Sequence, residues 1–138
     1  MKTVYLMLFL ISFSFTNCTV EDNKQDCSGK TVISDEIYNS PSDPHKIIDA
    51  TVTDDILKLS IVYGGGCKEV CADLIAQEKT LITDPLQRNI NIFFVDNDMC
   101  EALIKEDWSF NISSLQVDGE NEIQLNLEGY PEPFIYRY

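Results

Sequence analysis

The sequence predicts an all-β domain, either an antiparallel β-sandwich or a partly open barrel of about seven short strands. Apolar and polar residues alternate in several short runs, which is typical of strands with one buried face. Residues that favour turns separate the runs, and no long stretch has the 3.6-residue period of an amphipathic helix. The chain contains five cysteines, and disulfides between some of them are expected to hold the domain together.

The predicted strands follow one another at similar spacing along the chain. The clearest alternation, at residues 57–63, ends in the turn Gly64-Gly65-Gly66, where the absence of side chains allows another segment to approach closely. The full set of predicted strands is 31–34, 46–53, 57–63, 72–78, 90–94, 108–112, 123–127 and 134–138.

The segments between the later runs set the order of the strands. Asp118-Gly119 predicts the turn that joins the run at 108–112 to the run at 123–127. Residues 100–105 are too few to assign, and one helical turn is the structure they suggest. Pro131 and Pro133 place the last run at a sheet edge, because proline has no N–H to donate to a neighbouring strand.

The first residues have the composition of a secretory signal. Lys2 precedes an apolar run that ends at Phe15, and this run is shorter than the roughly 20 residues of a spanning helix. Phe15-Thr16-Asn17-Cys18 is similar to the cleavage motif of bacterial lipoproteins, in which the cysteine receives the lipids. We therefore predict a lipoprotein signal peptide at 1–17, a lipidated N-terminus and polar tether at 18–44, and a single β domain at 45–138.

This assignment predicts attachment to the outer membrane or the cell surface through lipid on Cys18. Glu21 and Asp22 resemble the short acidic export signal of surface lipoproteins in the Bacteroidota. One alternative is a secreted chain cut after Ser14, which also satisfies the small-residue rule. Another is a eukaryotic secreted chain in which Asn17 and Asn111 are glycosylation sites.

The charge of the chain excludes some partners. Its formal net charge is −13, and cleavage before Cys18 removes one of the ten basic residues and none of the 23 acidic ones, which leaves −14 on 121 residues. Binding to nucleic acid or to anionic head groups depends on lysine and arginine contacts with phosphate. We therefore expect no nucleic-acid partner, and membrane attachment through the lipid alone.

The four remaining cysteines predict two disulfides. Cys27, Cys67, Cys71 and Cys100 allow three connectivities. We favour Cys67 with Cys100 and Cys27 with Cys71, because a bond between Cys67 and Cys71 would close only a very short loop. The alternative is a zinc site in which Cys67 and Cys71 bind the metal with Cys27, Cys100 or His45, although exported thiols tend to oxidise.

Three short motifs resemble those of small uncharacterised lipoproteins from the Bacteroidota. They are Gly65-Gly66-Cys67-Lys68-Glu69, Asp98-Met99-Cys100-Glu101 and Leu127-Glu128-Gly129-Tyr130, within roughly residues 55–130. The resemblance supports the pair Cys67 and Cys100. The chain departs from this group in having Val70 where the group has histidine, and the group implies no particular activity.

No motif in the chain indicates catalysis, and we expect no cofactor. The one histidine, His45, lies between Pro44 and Lys46 in a predicted loop, which is typical of an exposed surface histidine and not of a catalytic one. Asp96, Asp98 and Glu101 are weak candidates for calcium ligands, because hard oxygen atoms within one loop suit that ion. A second acidic loop contains Asp118, Glu120 and Glu122.

These observations favour an exported, lipid-anchored β-sandwich module of the cell envelope with a binding or structural role and no catalytic activity. It would bind a protein or glycan ligand, with Tyr63, Trp108, Tyr130 or Tyr136 as contact residues where they are exposed. One alternative is an acidic inhibitor of a basic secreted enzyme such as a lysozyme, guided by electrostatic steering. A second alternative is a calcium-stabilised ligand-binding domain.

Overall fold

The computed structural model describes residues 29–97 and 99–138, and strands dominate this part of the chain. The strands are β1 (Thr31–Ile33), β2 (His45–Thr53), β3 (Ile56–Gly65), β4 (Cys71–Ala76), β5 (Gln87–Val95), β6 (Ala102–Asn111), β7 (Glu122–Leu127) and β8 (Phe134–Arg137). A four-residue helix, α1 (Asp35–Tyr38), follows β1, and a short 3-10 helix (Ser113–Leu115) follows β6. No helix among these residues is long and apolar enough to cross a membrane.

The strands form two sheets. The larger has the order β1-β4-β5-β7-β8, and the smaller has the order β2-β3-β6. The predicted all-β fold is therefore confirmed, as an open arrangement of two sheets with β8 at an edge. Two pairings, β1 with β4 and β5 with β7, are parallel, and the others are antiparallel.

The core lies between the two sheets. Strand β3 contributes Leu57 and Ile61, and strand β5 contributes Ile92 and Phe94, all with no more than 2% of their surface exposed. The period-2 alternation of both strands directs these side chains to one face. The Phe94 ring lies 4.8 Å from that of Tyr63, measured between centroids, and so joins the sheets near one end of the core.

Residues 30–44, part of the predicted tether, contain segments that hydrogen-bond to strands β4 and β5. Strand β1 pairs with β4, and the Lys30 N–H donates to the Asp73 carboxylate at 2.9 Å. Ser34 caps α1 by accepting from the Ile37 N–H. Backbone pairing therefore includes residues whose polar composition suggested a linker. The predicted signal peptide, Cys18 and Cys27 lie outside the described residues.

The glycine turn and the predicted disulfide lie at one end of the smaller sheet. Gly64 and Gly65 continue β3 and pair with Leu103 and Ala102 of β6. The residue that leaves the strand is Gly66, whose φ of 110° is unfavourable for other residues. Beyond it Cys67 is bonded to Cys100, with the two Cα atoms 5.9 Å apart.

This bond accounts for one of the two predicted disulfides and opposes the zinc alternative. Cys67 and Cys100 are oxidised, and zinc binding requires thiolates. Cys71 is also in the disulfide-bonded form. The predicted pairing of Cys71 with Cys27 falls partly outside the described residues.

The later strands are arranged differently from the prediction. Strand β6 begins at Ala102 and includes most of the segment that suggested a helical turn. A turn is present at Asp118 and Gly119, but it does not close a hairpin, because β6 and β7 belong to different sheets. The sequence identifies the turn, and the sheets to which its flanking strands belong depend on long-range pairing.

An arginine is buried in the core without a hydrogen-bond partner for its Nε. Arg88 of β5 is 8% exposed, and no acceptor among the described residues contacts its Nε. Burial lowers the pKa of Arg88, and Tyr138 partly opposes that effect. Because an unsatisfied buried polar group is costly, Arg88 lowers the free energy of unfolding of the domain.

Replacing Arg88 by methionine is expected to raise the free energy of unfolding by about 1–2 kcal/mol, because it removes the unsatisfied donor and keeps an unbranched apolar stem. Urea denaturation measures this change. The matched control is Arg137→Met, since Arg137 is exposed and forms a surface ion pair with Glu122 at 2.9 Å, for which we expect little change. A loss of stability in the Arg88 variant would contradict the expectation.

A buried tyrosine, Tyr136, makes the stability of the fold depend on pH in the alkaline range. The Tyr136 hydroxyl donates to the Asp55 carboxylate and accepts from Gln116 Nε2 at 2.8 Å. Burial, followed by the bond to Asp55, raises the pKa of Tyr136 from 10.0 to about 12. The phenol thus stays protonated in the folded chain at a pH where the unfolded chain has lost the proton.

The contribution of Tyr136 to the free energy of unfolding is therefore expected to be fully present below pH 10 and to be lost as the pH rises through 12. Tyr136→Phe should weaken this alkaline loss of stability. Urea denaturation across this pH range measures the effect. At neutral pH the same variant should lose about 1–2 kcal/mol, because Asp55 and Gln116 each lose a hydrogen bond to the hydroxyl. An unchanged alkaline slope in Tyr136→Phe would contradict the assignment.

Candidate functional site

A cleft lies along one edge of strand β5, where β7 bonds to the first part of the edge and the segment at residues 42–45 bonds to the last part. Strand β7 pairs with β5 only along residues 87–90, and the last contact is the Glu128 N–H donating to the Ile90 carbonyl at 2.9 Å. Further along the same edge, the Asp43 N–H donates to the Phe94 carbonyl at 2.8 Å. The two segments diverge between these contacts, and the cleft lies in the resulting fork.

The cleft has a volume of about 520 Å³ and polar walls. The end of α1, the segment that leads into β2, the centre of β5 and the end of β7 supply its lining, which consists of Tyr38, Asn39, Ser40, Ser42, Asp43, Pro44, His45, Asn91, Glu128 and Gly129. Neither lysine nor arginine is among these residues. The lining therefore offers neutral and acidic hydrogen-bonding groups.

Several polar groups of the cleft are fixed by hydrogen bonds. The Ser42 hydroxyl accepts from the Phe94 N–H at 2.9 Å, and the Asp43 carboxylate accepts from the Asp96 N–H at 2.7 Å. His45 Nδ1 lies 2.9 Å from the Asp43 carbonyl, which suits a ring that donates from this nitrogen. These bonds hold the segment at residues 42–45 against the sheet.

Tyr38 and Glu128 form a pair across the mouth of the fork. Burial, followed by the charge and the hydrogen bond of Glu128, raises the pKa of Tyr38 above its ordinary value of 10.0. The phenol is therefore protonated at neutral pH. Tyr38 at the end of α1 and Glu128 directly after β7 both line the cleft.

A row of carboxamides continues from the cleft along the outer face of the larger sheet. We call this set the amide row, and it consists of Gln77, Gln87, Asn89, Gln124 and Asn126. Asn126 donates to Gln87 at 3.2 Å and to Asn89 at 3.1 Å. Asn89 donates to Gln77 at 2.9 Å, and Gln124 donates to Asn126 at 2.8 Å. The row is uncharged and half-buried.

Asn91 connects the amide row to the cleft. It follows Asn89 by two residues on β5, so both side chains project from the same face of the sheet. Glu128, in the turn directly after β7, follows Asn126 by two residues and also lines the cleft. The cleft and the amide row are therefore one continuous polar surface.

The aromatic residues expected as ligand contacts lie elsewhere. Tyr63 and Tyr136 are buried, with 7% and 1% of their surface exposed, so both belong to the core. Trp108 is half-buried and stacks on Phe110, and its buried Nε1 has no hydrogen-bond partner in the described part of the chain. Tyr130 is half-buried and stacks on Phe134. None of the four lines the cleft.

The calcium candidates do not form a recognisable site in the described residues. Asp96 follows β5, Glu101 precedes β6, and Asp98 lies outside the described residues. No group of three or more His, Cys, Asp or Glu side chains within 29–97 and 99–138 is arranged to hold a metal ion. Calcium stabilisation therefore stays a prediction from sequence.

The cleft residues Tyr38, Asn91 and Glu128 were not identified from the sequence. They come from three distant segments, and each is an ordinary residue for a turn or a strand face. One available signal was the series Gln87, Asn89 and Asn91, in which carboxamides occupy alternate positions of a strand. An uncharged polar face is unusual in a chain with a net charge of −13.

The fold and the cleft together define a disulfide-bonded, two-sheet β domain with a polar cleft at an edge of β5. No protein-family model and no curated protein matches the chain. A solved structure from Bacteroides vulgatus, a DUF1344 protein of unknown function, is similar with a TM-score of 0.54 and 15% identity, over 79% of this chain and 56% of that one. A NigD-like immunity protein from Bacteroides caccae is similar with a TM-score of 0.57 and 9% identity, over 80% of this chain and 64% of that one.

At these identities the likeness establishes the fold alone. The chain spans between about half and two thirds of the length of the two solved proteins. Both solved proteins come from Bacteroides.

Proposed function

We propose that the chain is a lipid-anchored binding module of the cell envelope, located at the outer membrane or cell surface, without catalytic activity. The signal-like start, the cysteine at position 18 and the disulfide between Cys67 and Cys100 support export. The observation that supports binding is the polar cleft between β7 and the segment at residues 42–45. Ligand sites are typically concave and have a few fixed polar groups.

The chemistry of the cleft favours binding over catalysis. The Ser42 hydroxyl bonds to the backbone of Phe94, and Tyr38 is held protonated by burial and Glu128. His45 Nδ1 lies against the Asp43 carbonyl, and in the described part of the chain no hydrogen bond joins this histidine to a serine or cysteine that it could activate as a general base. The immunity description of one structural neighbour suits a protein that acts by binding.

Capture of isolated envelope material by the full mature chain tests the proposal. Asn91→Lys places a long charged side chain at the cleft and is expected to reduce capture at least about tenfold. Ser109→Lys is the matched control, because it makes the same change in charge at an exposed position of β6, on the smaller sheet. Equal capture by both variants, or no capture by the unmodified chain, would refute a binding role for the cleft.

A second candidate, an acidic inhibitor of a basic secreted enzyme, is favoured by the acidic surface. Asp54, Asp118 and Glu120 are exposed, in the turn between β2 and β3 and in the segment before β7. With a net charge of −13, the chain would attract a basic enzyme by electrostatic steering. Inhibition of a lysozyme that disappears in moderate salt would support this candidate, whereas salt-insensitive capture through Asn91 would support the cleft.

A further inference from the structure

We infer that the cleft and the amide row bind a neutral oligosaccharide. This inference rests on the proposed binding function and specifies the class of ligand. Three features support it: the absence of cationic side chains from the cleft, the hydrogen-bonding capacity of the amide row, and the position of Tyr38 at the wall of the cleft.

The charges of the cleft exclude several ligand classes. Anionic ligands such as phosphates require lysine, arginine or a set of backbone N–H groups, and the lining contains no lysine or arginine. Two carboxylates, those of Asp43 and Glu128, would repel such ligands. A fatty-acid chain is equally unsuited, because the lining is dominated by polar side chains. A neutral ligand with many hydroxyl groups meets none of these obstacles.

Carboxamides match hydroxyl groups in hydrogen bonding. Each carboxamide has two donor hydrogens and two acceptor lone pairs, and each sugar hydroxyl can both donate and accept. The four hydrogen bonds within the amide row use only part of the capacity of its five members. The remaining groups are fixed in orientation by those bonds, so a ligand would pay little entropy to order them.

The dimensions of the surface favour a chain over a single sugar. The polar face of β5 extends from Gln87 through Asn89 to Asn91, which is about 13 Å at the rise of an extended strand. Gln124 and Asn126 of β7 lie beside the first part of this row. The cleft therefore accommodates the end of an oligosaccharide, and the amide row extends along the units that follow.

Tyr38 supplies the aromatic surface that recognition of a sugar uses. The apolar C–H face of a pyranose packs on an aromatic ring, whose polar end stays in a hydrogen bond. Tyr38 lines the cleft at the end of α1, and burial together with the charge of Glu128 keeps its hydroxyl protonated. Because Asn91 lines the same cleft, one ligand can contact both the ring and the carboxamide.

The test uses the side-chain amide resonances of the full mature chain. Neutral glucan and mannan hexasaccharides with α- and β-linkages are titrated separately into ¹⁵N-labelled protein, up to about 10 mM, since weak sugar binding falls in the millimolar range. We expect at least one of them to shift the NH₂ signals of Asn89, Asn91 and Asn126. We expect the signal of Asn111, on the smaller sheet, to stay unchanged.

Variants at two positions, Asn91 and Tyr38, test the binding surface. Asn91→Ala is expected to weaken the affinity about tenfold, and Tyr38→Phe, which keeps the ring, is expected to weaken it less than Tyr38→Ala does. Ser109→Ala is the control that should not change it. If none of the hexasaccharides shifts these signals, the inference is wrong. If the Asn91→Lys chain nevertheless loses capture of envelope material, the cleft binds a ligand of another class, and the proposed function stands without the inference.

Discussion

Replacing Cys67 and Cys100 together by alanine is expected to lower the free energy of unfolding by about 4 kcal/mol. The bond joins residues separated by 33 positions, and the loss of this constraint increases the conformational entropy of the unfolded chain. Equilibrium unfolding in guanidinium chloride without reductant measures the change. The double variant avoids the free thiol that either single variant would create.

The matched control for this pair is Met99→Ala. Met99 precedes Cys100 and is 98% exposed, so its removal should change stability by less than about 0.5 kcal/mol. An unfolding midpoint of the double variant equal to that of the unmodified chain would mean that the bond does not restrain the chain.

Replacing Phe94 by alanine is expected to cost about 3–5 kcal/mol, because it opens a large cavity in a fully buried site. Phe94 contacts Tyr63 of the smaller sheet at 4.8 Å and His45 at 5.4 Å, both measured between ring centroids. Its loss therefore removes contacts between the two sheets and beside the cleft. Thermal and urea unfolding measure the effect.

The adjacent residue provides the control for Phe94. Phe93→Ala makes the same chemical change on the opposite face of β5, where the side chain is half-buried, and should cost clearly less. Similar losses for both variants would contradict the assignment of the Phe94 face to the core.

The fold class could be predicted because each strand contains its own signal. Leu57, Leu59 and Ile61 alternate with polar residues, and this alternation alone identifies a strand with one buried face. Which strands pair could not be predicted in this way. The parallel pairing of β5 with β7 depends on contacts between segments that are distant in sequence, and the local pattern at Asp118 and Gly119 suggested a hairpin instead.

The cleft could not be predicted, because it is created by strand pairing and not by a motif. By its local sequence Asn91 is a surface residue of a strand. It lines a cleft only because β7 ends beside Ile90 and the segment at residues 42–45 bonds to the same edge of β5 further along. The polar residues before His45 suggested a linker, yet backbone hydrogen bonds to β5 bring them into the site. A polar composition indicates that a segment contributes few side chains to the core. It does not exclude backbone hydrogen bonds between that segment and the free edge of a strand.

The disulfide, which lies outside the cleft, could be predicted from the sequence. Cys67 follows a glycine turn, and the resemblance to Bacteroidota lipoproteins supported its pairing with Cys100, which the structure contains. Lipidation of Cys18 and the role of Cys27 stay predictions. These predictions and the disulfide all depend on export of the chain from the cytosol.

Mass spectrometry of the mature protein, isolated from its native membrane without reductant, tests the central claim most directly. The account predicts an N-terminal Cys18 with attached acyl chains and a peptide crosslink between Cys67 and Cys100. An unprocessed chain that still begins at Met1, with Cys67 and Cys100 as free thiols, would contradict it.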